Sequence, residues 1–287
     1  MSVPLQSRAA ENGGVKLHYL AAGSGPPVVF LHGIPDHALG WRRQLESLAP
    51  RYRVIAPDLR GFGQSDAPAG VAHYTLPHLI NDVLAVLAEE NISQAAIVGH
   101  DWGATIAWWL AMRSPRTVRH LVALSAPHPR PYLRAFGDPA NADMVRYVRR
   151  FQKAGAAATL DLDELSGWVV SPEDRSALRQ ALASRPDAML NYYKANIPAG
   201  PVPDMGPQPL VKAPTLIMFG AADPYVPVGA YDGSFREVEN VTALVAIPGA
   251  GHFLHHEAAD FVTEQIDAWI SRPPSGYRLR PAVQLET

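Results

Sequence analysis

Apolar residues recur along this chain in two alternating periods. Short apolar runs at residues 15–21, 27–31 and 52–56 read as strands set off by Gly and Pro turns, with a helical run at 39–48 before the third. Val28-Val29-Phe30-Leu31 is apolar on both faces, as a central strand covered by helices on each side requires. Leu76, Leu79, Ile80, Val83, Leu84 and Leu87 then fall at helical spacing, with Thr75 as N-cap. A strand at 95–99, a helix through Trp108 and Met112 and a strand at 118–124 follow. Strand alternating with helix predicts a parallel sheet.

After Pro129 the pattern changes. No strand-like run recurs until Thr215, and the intervening stretch is helical, charged and broken by Pro at 139, 172, 186, 198, 201 and 203. The prediction is an α/β core formed by residues 1–129 and 209–287, with residues 130–208 as an inserted helical cap. Sheet character returns at 214–220 and 241–247, and the last helix carries Ala258, Phe261, Val262, Ile266, Trp269 and Ile270 on one stripe. Residues 272–287 read as a Pro-containing tail.

Composition narrows the classes of function. With 287 residues, 47% of them hydrophobic, the chain can build one sizeable core. A net charge of −2 and a pI near 6.6 provide no field to hold nucleic acid or an anionic membrane. The N-terminus has no apolar signal segment, and the longest apolar run, 104–112, is too short to span a bilayer. A soluble, cytoplasmic protein is expected. The absence of cysteine excludes disulfides, thiolate catalysis and Cys-ligated metals, so covalent chemistry needs another nucleophile.

Open parallel sheets carry their sites at the carboxyl ends of strands. The strand at 95–99 runs into Gly99-His100-Asp101-Trp102-Gly103, which has the spacing of a G-x-S-x-G nucleophile elbow with aspartate in place of serine. Taken alone, Asp101 reads equally well as the N-cap of the next helix. Asp223 follows the strand at 214–220 and is singly a turn former; His252 follows 241–247 and is singly a loop histidine. Together, in the order Asp101, Asp223, His252, they read as nucleophile, acid and base. The segment after 118–124, Ser125-Ala126-Pro127-His128, has no carboxylate, leaving Asp223 as the acid. His32-Gly33-Ile34-Pro35 ends strand 27–31 abruptly, with Pro35 fixing the turn, through a cis bond or otherwise. In the loop at 56–66, Asp58 and Arg60 are expected to make local hydrogen bonds. By type and spacing, His252, His255 and His256 are candidate metal ligands. Without an H-E-x-x-H carboxylate, His255 and His256 read as solvated positions near a helix start, and no metal is assigned.

These motifs resemble the epoxide hydrolase family of α/β-hydrolases over nearly the whole chain. His32-Gly33-Ile34-Pro35 matches that family's H-G-x-P, and Asp101 lies in its aspartate elbow. Residues 147–152 (Tyr147 to Gln152) resemble its Y-x-x-x-F-Q segment, and Asn191-Tyr192-Tyr193-Lys194 its N-[WY]-Y-[RK] segment. The resemblance implies an α/β-hydrolase fold with a helical cap, and hydration of apolar or aromatic epoxides without metal or cofactor. It implies Asp101 as nucleophile, His252 as base oriented by Asp223, and Tyr147 and Tyr193 as holders of the epoxide oxygen. The backbone N–H groups of Ile34 and Trp102 are the implied oxyanion hole; Trp102, Tyr147, Tyr193 and Phe151 are the implied substrate contacts. Phe136, Met144, Phe151 and Trp168 suggest an apolar pocket.

The chemistry agrees with the residue types. An unactivated sp³ ring carbon needs a nucleophile already anionic at neutral pH, and a carboxylate is one. A departing alkoxide needs acidic O–H donors, which phenols supply. A dehalogenase is the nearest alternative, since it shares the aspartate elbow. Its halide wants N–H donors, and haloalkane dehalogenases carry Asn where Ile34 stands here. A non-catalytic small-ligand binder on the same fold is a further alternative. An esterase fails because no elbow here carries serine.

Overall fold

The computed structural model describes residues 3–200 and 205–272. One eight-stranded sheet forms its frame: β1 (Gln6–Asn12), β2 (Val15–Ala22), β3 (Pro27–Leu31), β4 (Arg53–Pro57), β5 (Ala95–His100), β6 (Val118–Leu124), β7 (Thr215–Gly220) and β8 (Thr242–Ile247). The order across the sheet is β1-β2-β4-β3-β5-β6-β7-β8. From β4 to β8 every pairing is parallel, as the alternation of strand and helix predicts, and β1 and β2 add antiparallel pairs at one edge. The sequence pattern missed β1. Six of its seven residues lie at least partly open to solvent, so it has no apolar run and is held by its ladder to β2.

Helices cover both faces. α2 (Leu76–Glu89) and α3 (Trp102–Arg113) pack on one, and α1 (Arg42–Leu48) and α10 (Ala259–Ile270) on the other, each sealing its own apolar cluster. α3 is buried on nearly all sides, with Ile106, Trp108 and Leu110 fully excluded from water. Each such aliphatic side chain contributes about 1.5–3 kcal/mol by burial. Three local expectations need correction. Thr75 occupies the N-cap position of α2 but its hydroxyl pairs with His78 Nδ1 at 2.8 Å, not with the backbone. Phe261 is 42% exposed, since the buried stripe of α10 is carried by Val262, Ile266, Trp269 and Ile270. Arg60 reaches out of its loop to Asp82 on α2, where Nε donates to Oδ2 at 2.6 Å in a buried ion pair. Asp58 does accept locally, from Gln64 N, and also anchors His18 and Ala38 N.

Between β6 and β7 run α4 (Pro129–Phe136), α5 (Ala142–Gln152), α6 (Leu162–Ser166), α7 (Pro172–Ser184) and α8 (Pro186–Asn196), and after β8 the short α9 (Leu254–Glu257) leads into α10. Several begin at Pro, which is compatible with a first helical turn and not with its interior. The predicted tail from residue 273 on lies outside the described residues. Among the described residues no helix is long and apolar enough to cross a membrane.

Candidate active site

The parallel register brings five strand ends to one edge: Leu31 pairs with Gly99, His100 with Leu124, and Gly220 with Ile247. The residues just past those ends converge. Asp101, between β5 and α3, sits at φ 51° and ψ −118°, a strained left-handed conformation for a non-glycine residue. Glycine on each side permits it. A Cβ at Gly99 would lie 2.4 Å from Gly103 O, and one at Gly103 would lie 2.1 Å from Leu31 O. Asp101 occupies the N-cap position but makes no side-chain cap bond. Its Oδ1 instead accepts from the Ile34 backbone N–H at 2.8 Å, across the turn containing the cis Ile34–Pro35 peptide. Trp102 is the first residue of α3, so its N–H has no partner within the helix.

His252 lies between two carboxylates. Its Nδ1–H donates to Asp223 Oδ2 at 2.8 Å, and its Nε2 stands 3.6 Å from Asp101 Oδ2. Asp223 is pinned in turn, its Oδ1 accepting from the N–H groups of Tyr225 and Val226. Burial alone would lower the His252 pKa, but Asp223 and Asp101 push it up to about 10. The backbone carbonyl of His252 accepts from His100 Nε2 at 2.9 Å and from Ser125 Oγ at 2.8 Å. Ser125, at φ 50°, fills the strand end where the sequence shows no carboxylate.

Tyr147 on α5 and Tyr193 on α8 face Asp101 across a cavity with two recesses, and all three residues line both. The phenol rings are 6.2 Å apart at 83°. Burial, with the nearby Asp101 charge, holds both pKa values well above the usual phenol range, so each keeps its O–H. The Trp102 indole packs edge-on against the Tyr193 ring at 5.3 Å. The first recess is apolar, walled by Leu76, Trp109, Pro127, Leu133, Ile197 and Val226. The second holds His252, Phe151, Trp168 and Tyr225, with Arg150 and Glu164 paired at 3.0 Å.

Three comparisons bear on what this arrangement is. A family model described as alpha/beta hydrolase fold matches residues 26–259. Epoxide hydrolase 3 of Xenopus tropicalis is 30% identical, over 89% of this chain and 75% of its own length. The chain belongs to the epoxide hydrolase family of the alpha/beta hydrolase fold. Epoxide hydrolase 1 of Siraitia grosvenorii is likewise 30% identical, over 90% of this chain and 96% of the relative. The crystal structure of an epoxide hydrolase from Bacillus megaterium, bound to an inhibitor, superposes with a TM-score of 0.83 at 26% identity, covering 92% of this chain and all of that one.

Asp101, Asp223, His252, Ile34, Trp102, Tyr147, Tyr193 and Phe151 lie together at this cavity. Trp168 also lines the cavity, whereas Phe136 and Met144 are buried and do not line it, Phe136 packing behind Tyr132 at 5.4 Å. Sequence reasoning missed Tyr132, which lines the apolar recess together with Tyr147, and Ser125 and His100, which hold the His252 carbonyl. A lone tyrosine near a Pro-rich helix start gives no local signal. The expectation that His255 is solvated is wrong. Its ring is fully buried, packed between Trp41 and His100 at centroid distances of 4.5 and 4.3 Å.

Proposed function

We propose that this chain hydrates apolar epoxides to vicinal diols through a hydroxyalkyl ester on Asp101, with residues 130–208 acting as a cap that carries the acid groups. The observation that carries the reading is the pair of neutral phenols, Tyr147 and Tyr193, opposite a carboxylate on a nucleophile elbow. Ile34 N–H holds Asp101 Oδ1, which leaves Oδ2 free to attack. Oδ2 bonds to one ring carbon, the ring C–O bond breaks, and the alkoxide takes a proton from a phenol. The names of the relatives support the same substrate class.

The second step follows from charge. While Asp101 is ionised, His252 is held protonated between two carboxylates and cannot act as a base. Esterification removes the Asp101 charge and with it one of the two interactions that raise the His252 pKa. The imidazole then gives its proton back to the phenolate left by ring opening and, now neutral, can take one from water. Hydroxide adds to the Asp101 ester carbon, and the oxyanion forms on Oδ1, where the Ile34 N–H already points and the Trp102 N–H is unclaimed by its helix. Collapse expels the diol, protonated by His252, and regenerates the carboxylate.

Oxygen bookkeeping tests the sequence of steps. In a single turnover with enzyme in excess in ¹⁸O-water, the diol should contain no ¹⁸O and the peptide bearing Asp101 should gain it. Label in the first-turnover diol would mean direct attack by water and would end the ester reading.

A further inference from the structure

Behind the turn that carries Ile34, three potential ligands converge. Asp36 Oδ2 lies 3.2 Å from His255 Nε2 and 3.1 Å from His256 Nε2, and the three ligand atoms lie within 4.8 Å of one another. Donors ~2.0–2.1 Å from a tetrahedral zinc sit ~3.3 Å apart, so two of the three separations already match. Both imidazoles aim at the same oxygen, while Oδ1 is taken by His37, whose N–H donates at 2.8 Å. Space at the carboxylate is kept by Gly40, where a Cβ would fall 2.1 Å from Oδ2.

The cluster is preorganised and open on one side. Asp36 and His255 are buried, and His255 cannot turn between Trp41 and His100. His256 is 30% exposed in its side chain and borders a cavity shared with His37, Trp168 and Asp36, through which an ion could enter. His37 also lies within reach: its Nδ1 is 3.4 Å from Asp36 Oδ1, on a half-exposed side chain.

We propose that Asp36, His255 and His256 form a binding site for a borderline transition-metal ion of the zinc class, separate from the cavity of Asp101. Two imidazoles and one carboxylate suit Zn²⁺, Co²⁺ or Ni²⁺ better than Mg²⁺ or Ca²⁺, which prefer all-oxygen shells. Asp36 follows Ile34 by two residues, and His255 follows His252 by three. An ion here would therefore clip the turn donating to Asp101 to the loop bearing His252. Its effect is structural, and the proposal is independent of the substrate reading.

The test uses untagged protein, freed of metal with a chelator and titrated with Co²⁺. One equivalent should bind, with visible d–d absorption and a rise in thermal midpoint that saturates at the same ratio. Asp36→Asn and His256→Ala should each weaken binding by more than about tenfold, the least that even loss of an outer-shell partner costs. His78→Ala, at the exposed His73/His78 pair, should change nothing. His256→Ala alters a partly exposed side chain, so it keeps the test valid if the Asp36 variant does not fold. Absence of a one-to-one complex in the parent, or undiminished Co²⁺ binding in His256→Ala, would overturn the proposal and leave a hydrogen-bonded structural cluster.

Discussion

His252→Gln is expected to consume one equivalent of epoxide per chain and then stop. The substitution removes the base but leaves Asp101, its Ile34 contact and both phenols in place. Ring opening needs no base, because the nucleophile is already a carboxylate; ester hydrolysis does, since water is a poor nucleophile without proton removal. Loss of a general base typically costs 10²–10⁴-fold, so steady-state turnover should fall by about that factor while the first step persists. Intact mass after exposure to an epoxide that the parent hydrates should rise by the whole mass of the epoxide, and peptide mapping should put the gain on Asp101. A gain equal to haloalkane minus hydrogen halide, with no epoxide adduct, would identify a dehalogenase. An unchanged mass with either reagent, from a folded variant, would remove the covalent mechanism.

The site was legible where its chemistry is local and illegible where it is assembled over distance. Gly99-x-Asp101-x-Gly103 is read within five residues because the strained corner demands close approach on both sides, and the observed φ at Asp101 is that strain. Asp223 and His252 follow strand ends, so the parallel register alone brings them to Asp101. The Asp36, His255 and His256 cluster is different. Its carboxylate lies some 219 residues from its imidazoles in sequence, and no spacing rule for a helix-borne metal site includes it. Arg60 with Asp82 is a similar case, a buried pair joining a loop to a helix face. β1 fails for the opposite reason: an edge strand whose side chains face water carries no hydrophobic signature, and only the backbone ladder specifies it.

The other large effect should come from removing both phenols. Tyr147→Phe and Tyr193→Phe each leave one O–H facing Asp101, and the two share a single developing oxygen, so either alone should slow ring opening by only about 10²-fold. The double variant leaves the alkoxide with no proton source and should lose more than the roughly 10⁴-fold product of the two single losses, an excess that reports one shared acceptor. Both measurements belong in the His252→Gln background, where the mass of the trapped ester reads the first step directly and hydrolysis does not interfere. Ester formation at the parental rate in the double variant would mean that the alkoxide is stabilised elsewhere, and the assignment of Tyr147 and Tyr193 would fail even with Asp101 as nucleophile.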